Sequence, residues 1–136
     1  MTKGQLTYKG AVYPWHCDHM GHMNVMWYVG KFDEATWAYF ASLGLTPAKL
    51  RDNARGMAAL EQNLTYKREV LPGDTLEIYT STVEIKDKTV RFNHQMIDCE
   101  TGEIVSTCEL LAVHMDTNAR KAIALPKEVQ IKAVTD

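Results

Sequence analysis

The apolar positions of this chain keep one period between Asn24 and Leu43 and another almost everywhere else. Val25, Tyr28, Val29, Phe32, Thr36, Tyr39, Phe40 and Leu43 recur at i, i+3, i+4, i+7 spacing, which predicts a long amphipathic helix from about Asn24 to about Leu43. Asn24 can cap it by accepting an orphan backbone N–H, and Gly44 stands where a C-terminal stop belongs. A helix of about 20 residues spans roughly 30 Å. Its opposite face carries Gly30, Ala38 and Ala41 with Glu34 among them, so close packing is expected on that side too. Residues 5–13 read as a strand and 14–23 as a loop, opened by Pro14 and marked by Gly21. Pro47 to about Asn53 reads as a short second helix.

The rest alternates. In 57–70, Leu60, Leu64, Tyr66 and Val70 fall on one parity and Glu61, Asn63, Lys67 and Glu69 on the other, the pattern of a half-buried strand. Leu71-Pro72-Gly73-Asp74 is a turn. Residues 75–86 and 89–98 pair as a hairpin around Lys86-Asp87-Lys88, Cys99 to Gly102 is a second hairpin turn, and 103–115 is the last long strand. The tail contains Pro126 and ends in a loose turn or strand. One strand, a long helix and then four strands make an α+β fold, an antiparallel sheet of about five strands. A single sheet curled around the helix would cover both of its faces.

Composition narrows the class. The 136 residues fit one domain, 1–136, and 46% hydrophobic with 24% charged residues is ordinary for a globular protein. A net charge of −2 gives no basic excess for nucleic acid. No run is long enough to cross a membrane, and the opening Met-Thr-Lys-Gly-Gln lacks the apolar stretch of a leader. Cys17, Cys99 and Cys108 are odd in number and unpatterned, which argues against a disulfide framework and for the cytoplasm.

The chemistry concentrates in Trp15-His16-Cys17-Asp18-His19-Met20-Gly21-His22-Met23-Asn24, where one carboxylate, three histidines and an asparagine precede the helix. A carboxylate beside a helix N-terminus joins a base or nucleophile to backbone N–H donors that can hold an oxyanion. His22 and Asn24 flank the helix start, positioned to orient Asp18 or a substrate carbonyl. Glu34 is a weaker alternative, because Lys31 three residues earlier would make with it a solvated or interface pair. His19-x-x-His22 with Cys17 could offer two or three zinc ligands, but no matching second pair appears, with His94 and His114 isolated in strands, so no metal is expected. Trp15, Trp27 and Trp37 read first as core or subunit-contact residues; as the lesser alternative one or two of them line a ligand pocket, since aromatic faces suit a flat ring or a quaternary ammonium. Arg51, Arg55, Lys67 and Arg68 could make a patch for an anionic ligand.

The segment His16 to Asn24, followed by Tyr28, Phe32 and Glu34-Ala35, and then Tyr66 with Leu71-Pro72-Gly73-Asp74, resembles the hotdog-fold acyl-CoA thioesterases, in particular the 4-hydroxybenzoyl-CoA thioesterase-like group. That group's pattern is Asp-x-Asp-x-x-Gly-(His)-x-Asn before a helix, then a strand with Tyr and a Pro-Gly-Asp turn. His16 replaces the first acid, and the second, which carries the chemistry in the family, is kept as Asp18. The resemblance implies a hotdog fold, a sheet wrapped around one long central helix, and hydrolysis of an acyl-CoA to a free acid and coenzyme A. It implies catalytic roles for Asp18, His22 and Asn24 and places Trp15, Trp27, Tyr28 and Arg68 at the substrate. No organic cofactor or metal is implied, and active sites between subunits imply a homodimer or homotetramer. Two alternatives stay open on this fold: a non-catalytic acyl-CoA binding domain, and a hydratase or dehydratase acting on 3-hydroxyacyl thioesters.

Overall fold

A computed structural model of the chain describes residues 4–130. Residues 1–3 of the opening segment and 131–136 of the expected domain and tail lie outside the described residues. The elements are β1 (Gln5–Ala11), a single 3-10 turn at Pro14–His16, α1 (Val25–Ser42), α2 (Pro47–Asp52), β2 (Arg55–Tyr66), β3 (Thr75–Ile85), β4 (Thr89–Asp98), β5 (Ile104–Asp116) and β6 (Lys121–Ala122). The strands form one antiparallel sheet in the order β1-β3-β4-β5-β2, with the two-residue β6 added to β5. The α+β reading with an antiparallel sheet holds.

α1 begins where its cap begins. The Asn24 side chain accepts the Met26 N–H, and Gly44 ends the helix at φ 92, a left-handed conformation that costs glycine little. Tyr28, Phe32, Thr36, Tyr39, Phe40 and Leu43 are buried as the period requires. All of these but Thr36 pack with Leu76, Ile78, Val90, Phe92 and Met96 from the sheet into one core.

Three expectations are corrected. Val25 belongs to the helical stripe by spacing but is exposed, because it sits at the first turn, beyond the edge of the core. Lys31 is not a solvated partner of Glu34. It is 2% exposed and donates from Nζ to the Tyr8 hydroxyl at 2.7 Å, being three residues from Tyr28 and four from Ala35 on the buried face. The alternation predicted for 57–70 fails in the middle of β2. A bulge between Ala59 and Glu61 shifts the register, which leaves Leu60 unpaired and 56% exposed, and an extra residue of this kind reverses the parity on either side of it. β2 is also an edge strand, and it stops at Tyr66, four residues short of the predicted end.

Candidate active site

The loop before α1 is pinned at both ends. Val12 donates to the Asp74 carbonyl and Gly73 to that of Val12, which ties the loop's entry to the Pro72–Gly73 turn. Asn24 N–H donates to the His16 carbonyl and Met23 N–H to that of Val70, and a Cys17–Met23 bridge pinches the loop shut. Inside it Asp18 N–H meets the His22 carbonyl at 3.2 Å and Gly21 N–H meets that of Asp18 at 3.0 Å. The tight reversal puts Gly21 at φ 89, where a side chain would be strained.

This folding brings Asp18 and Asn24 together. Asn24 Nδ2 donates to Asp18 Oδ2 at 2.8 Å, and Met20 N–H donates to Oδ1 at 2.9 Å. Because Asn24 Oδ1 accepts the Met26 N–H at 3.0 Å, the amide is oriented with its oxygen on the helix and its NH2 on the carboxylate. Asn24 is therefore helix cap and carboxylate holder at once. The hydrogen bond from Asn24, then that from Met20, hold the Asp18 carboxyl below the usual carboxylate range, and His22 and His19 add in the same direction. Asp18 is thus an ionised, solvent-reachable carboxylate at neutral pH. In the first turn of α1 Met26 N–H is taken by the cap and Trp27 N–H by the Asn24 carbonyl. That leaves the Val25 N–H as the donor at the helix tip.

A cleft of about 240 Å³ opens at this point, lined by His22, Met23, Val25, Tyr28, Tyr66, Lys67, Arg68 and Glu69. Tyr28 is buried, and its hydroxyl donates to the Arg68 carbonyl at 3.0 Å. Its ring meets that of Tyr66 edge to face, centroids 5.1 Å apart and planes at 88°. His22 Nε2 lies 3.3 Å from Glu69 Oε2. The Arg68 guanidinium pairs with Glu103 at 2.5 Å. Hollows of about 490 and 440 Å³ around Leu50 and Arg55 are larger, but no residue of the Asp18 loop lines either of them.

Of the sequence candidates, His22, Tyr28 and Arg68 line the cleft, whereas Asp18 and Asn24, bonded to each other at the start of α1, are not among its lining residues. Trp15 and Trp27 lie outside the cleft lining. Trp15, 68% exposed, stacks on Tyr13 at 4.7 Å, and Trp27 packs on the His16 ring at 4.5 Å. Glu34 is exposed, and Arg55 pairs with Asp116 at 3.3 Å. The three cysteines are unpaired, and among the described residues no group of three or more His, Cys, Asp or Glu side chains is placed to hold a metal. Among them, too, no helix is long and apolar enough to cross a membrane. Sequence reasoning missed Glu69 and the Val25 N–H. The first needed the fold of 67–70 against the loop, and the second is a backbone group whose availability follows only from its neighbours' being occupied.

Comparison with known proteins bears on the family and the fold. A family model described as the thioesterase-like superfamily matches residues 12–132. An L-carnitine dehydrogenase/betainyl-CoA thioesterase from Agrobacterium fabrum is 31% identical over 109 residues, covering 80% of this chain and 22% of that protein. This chain thus spans well under half the length of that two-function relative. A betainyl-CoA thioesterase from Pseudomonas aeruginosa is 24% identical over 129 residues, 95% of this chain and 81% of that one. Among solved structures, a hypothetical protein from Staphylococcus aureus in complex with CoA superposes with a TM-score of 0.91 at 22% identity, covering 97% of this chain and 84% of that one. A gentisyl-coenzyme A thioesterase gives 0.82 at 24% identity, over 93% and 98%. At these identities the two structures establish a shared fold.

Proposed function

Because this chain belongs to the thioesterase-like superfamily, we propose that it is an acyl-CoA thioesterase that uses Asp18 to hydrolyse an acyl-CoA to a free acid and coenzyme A. The observation that supports the reading is the Asp18 carboxylate, held ionised by Asn24 and Met20 beside the tip of α1, on the loop whose His22 and Met23 line the cleft. Thioester hydrolysis needs an activated water or a nucleophile, a polarised carbonyl and a leaving thiolate. Coenzyme A thiolate leaves readily, so one carboxylate and one oxyanion site are enough. Asp18 either takes the proton of an attacking water or attacks the carbonyl carbon itself to give a mixed anhydride. The Val25 N–H, with the positive end of α1 behind it, meets the oxyanion. Asn24 orients Asp18, and His22 lines the acyl side. Tyr28 and Arg68 border the acyl group, and Trp15 and Trp27 meet the substrate from the exposed ring cluster.

The same reading makes the whole chain one domain with α1 as its central helix and no metal or organic cofactor, working in the cytoplasm. It also makes the protein a homodimer at least, and a tetramer when two dimers pair. Support comes from the unpartnered edge of β2, the exposed Leu60 on it, and the exposed Ala38 and Ala41 of α1. Such edges are normally paired or covered. The betainyl-CoA relatives make short, compact acyl groups the first to try.

The test is a thiol-release assay against a panel of acyl-CoAs from acetyl to palmitoyl, run beside a hydration assay on an enoyl-CoA. Release of thiol with free acid, faster for short than for long acyl groups, is expected. Binding without turnover would favour a non-catalytic domain, and hydration without thiol release would favour a hydratase.

A further inference from the structure

We infer that His16 is a positioning residue for the reaction, its imidazole fixing the turn from which the Asn24–Asp18 pair is held; this rests on the thioesterase reading above. Three hydrogen bonds in series join the ring to the carboxylate. Tyr13 N–H donates to His16 Nδ1 at 3.0 Å. The backbone carbonyl of His16 accepts the Asn24 N–H at 2.9 Å. The Asn24 amide donates to Asp18 Oδ2 at 2.8 Å. When the first bond is lost, the Pro14–His16 turn and its carbonyl are free to shift, and Asn24 shifts with them. Asp18 then loses the orientation that its lone pairs need to meet a water or a carbonyl carbon.

The surroundings of the ring suit this role. Trp27 of α1 packs on it at 4.5 Å, and Tyr13 and Trp15 meet it at 5.8 and 5.9 Å with planes turned by 70° and 71°. The ring cluster ahead of α1 thus has a second task, gripping an imidazole that is only 8% exposed. Acceptance at Nδ1 requires a neutral ring with its proton on Nε2, a tautomer inferred from that bond. Burial first, and then the Lys31 ammonium, lower the His16 pKa, against Glu34, which raises it. The neutral acceptor is therefore the form present at neutral pH. Lys31 is itself tied to β1, through the Tyr8 hydroxyl at 2.7 Å and the Ala11 carbonyl at 3.5 Å.

A side chain at the third position of a short turn can also do no more than cap it, by accepting the N–H of the capping residue. The two roles differ in what they do to Asp18. Capping alone touches stability. Positioning also touches the ionisation of Asp18, because the Asn24 hydrogen bond is the largest cause of its lowered pKa. His22 and His19, the charges that face Asp18, are left in place by a change at His16.

The experiment follows kcat/KM against pH, with thermal melts, for the wild type, His16→Leu and His16→Asn on the best acyl-CoA. Leu fills much of the space and accepts nothing. Asn carries an oxygen close to the position of Nδ1 and can take the Tyr13 N–H. His16→Leu should lose about tenfold in kcat/KM, short of the roughly hundredfold that a misplacement of about 1 Å can cause. Its acid limb should move to higher pH, because Asp18 is held less firmly in its ionised form. His16→Asn should recover most of the activity and return the limb to its wild-type place. If His16→Leu does not fold, His16→Gln, with its polar head near the Nε2 position, stands in for it. A folded His16→Leu or His16→Gln protein with an unmoved limb overturns the inference, whatever its melting temperature, and leaves the thioesterase reading intact. Failure of His16→Asn to recover has the same meaning. Absence of thiol release by the wild type from every acyl-CoA overturns the thioesterase reading and the inference with it.

Discussion

His94 and Asp18 each sit in a polar cluster, and the two clusters are built to opposite ends. His94, in the centre of β4, has no exposed surface. Its Nε2 meets the Thr36 hydroxyl of α1 at 2.8 Å and its Nδ1 meets that of Thr80 of β3 at 2.7 Å. Thr36 donates onward to the Phe32 carbonyl. It therefore accepts from Nε2–H, a tautomer inferred from the network. The ring stacks on Phe32, and burial pushes its pKa down to about 3. Asp18, by contrast, is half-buried in a loop, and each of its carboxylate oxygens holds one donor, which leaves lone pairs free to accept more. A polar group whose every site is filled and sealed works as a brace, here between helix and sheet. One that is oriented by neighbours but still has open lone pairs can act on a ligand.

The comparison can be broken first at the brace. His94→Ala should cost about 2–4 kcal/mol, mostly through the cavity it leaves, and lower Tm on the order of 10 °C. Turnover per folded molecule should change little, as calorimetry beside an assay at low temperature would reveal. A variant as stable as the wild type would deny His94 that role.

A second attack, with an effect of the same order, uses pH. The unfolded chain protonates His94 near 6.5, whereas the folded protein resists until about 3. Stability from this group is therefore complete above pH 6.5 and is lost as pH falls toward 3, by several kcal/mol in order of magnitude. His16 and His114 are shifted down by burial as well and act in the same direction. Denaturant melts from pH 7 to pH 4 should show a steady loss. The His94→Ala protein should show a shallower one.

The smallest effect sharpens the other side. Asn24→Ala removes both the helix cap, worth about 1 kcal/mol, and the main hydrogen bond that keeps Asp18 ionised. The acid limb of kcat/KM should then move to higher pH. An unmoved limb would mean that Asn24 does not set the state of Asp18.

How far the sequence announces all this depends on how local the cause is. The period of α1 and its Asn24 cap are visible because both act within a few residues. The turns at Pro72–Gly73 and at Cys99–Gly102 are equally local, and β3, β4 and β5 follow the expected boundaries to within a residue. β2 is misread at Leu60 because a bulge has no reliable residue signature and an edge strand has no second neighbour to enforce alternation. Lys31 is misread because its charge argues for solvent, while its helical position and the Tyr8 hydroxyl across on β1 argue for burial. The meeting of Asp18 with Asn24 could be anticipated from their closeness in the loop. The Tyr28–Tyr66 ring contact and the His22–Glu69 pair could not, since their members come from segments about 40 residues apart that only the folded chain brings together.

The central claim is that Asp18 does chemistry and not merely loop packing, and the most direct measurement is thiol release by Asp18→Asn beside the wild type on its best acyl-CoA, with thermal melts of both. The substitution keeps the shape of the side chain and removes its charge. Turnover should fall by roughly two or more orders of magnitude with the melting temperature within a few degrees. Near wild-type turnover in a folded Asp18→Asn protein would contradict the account.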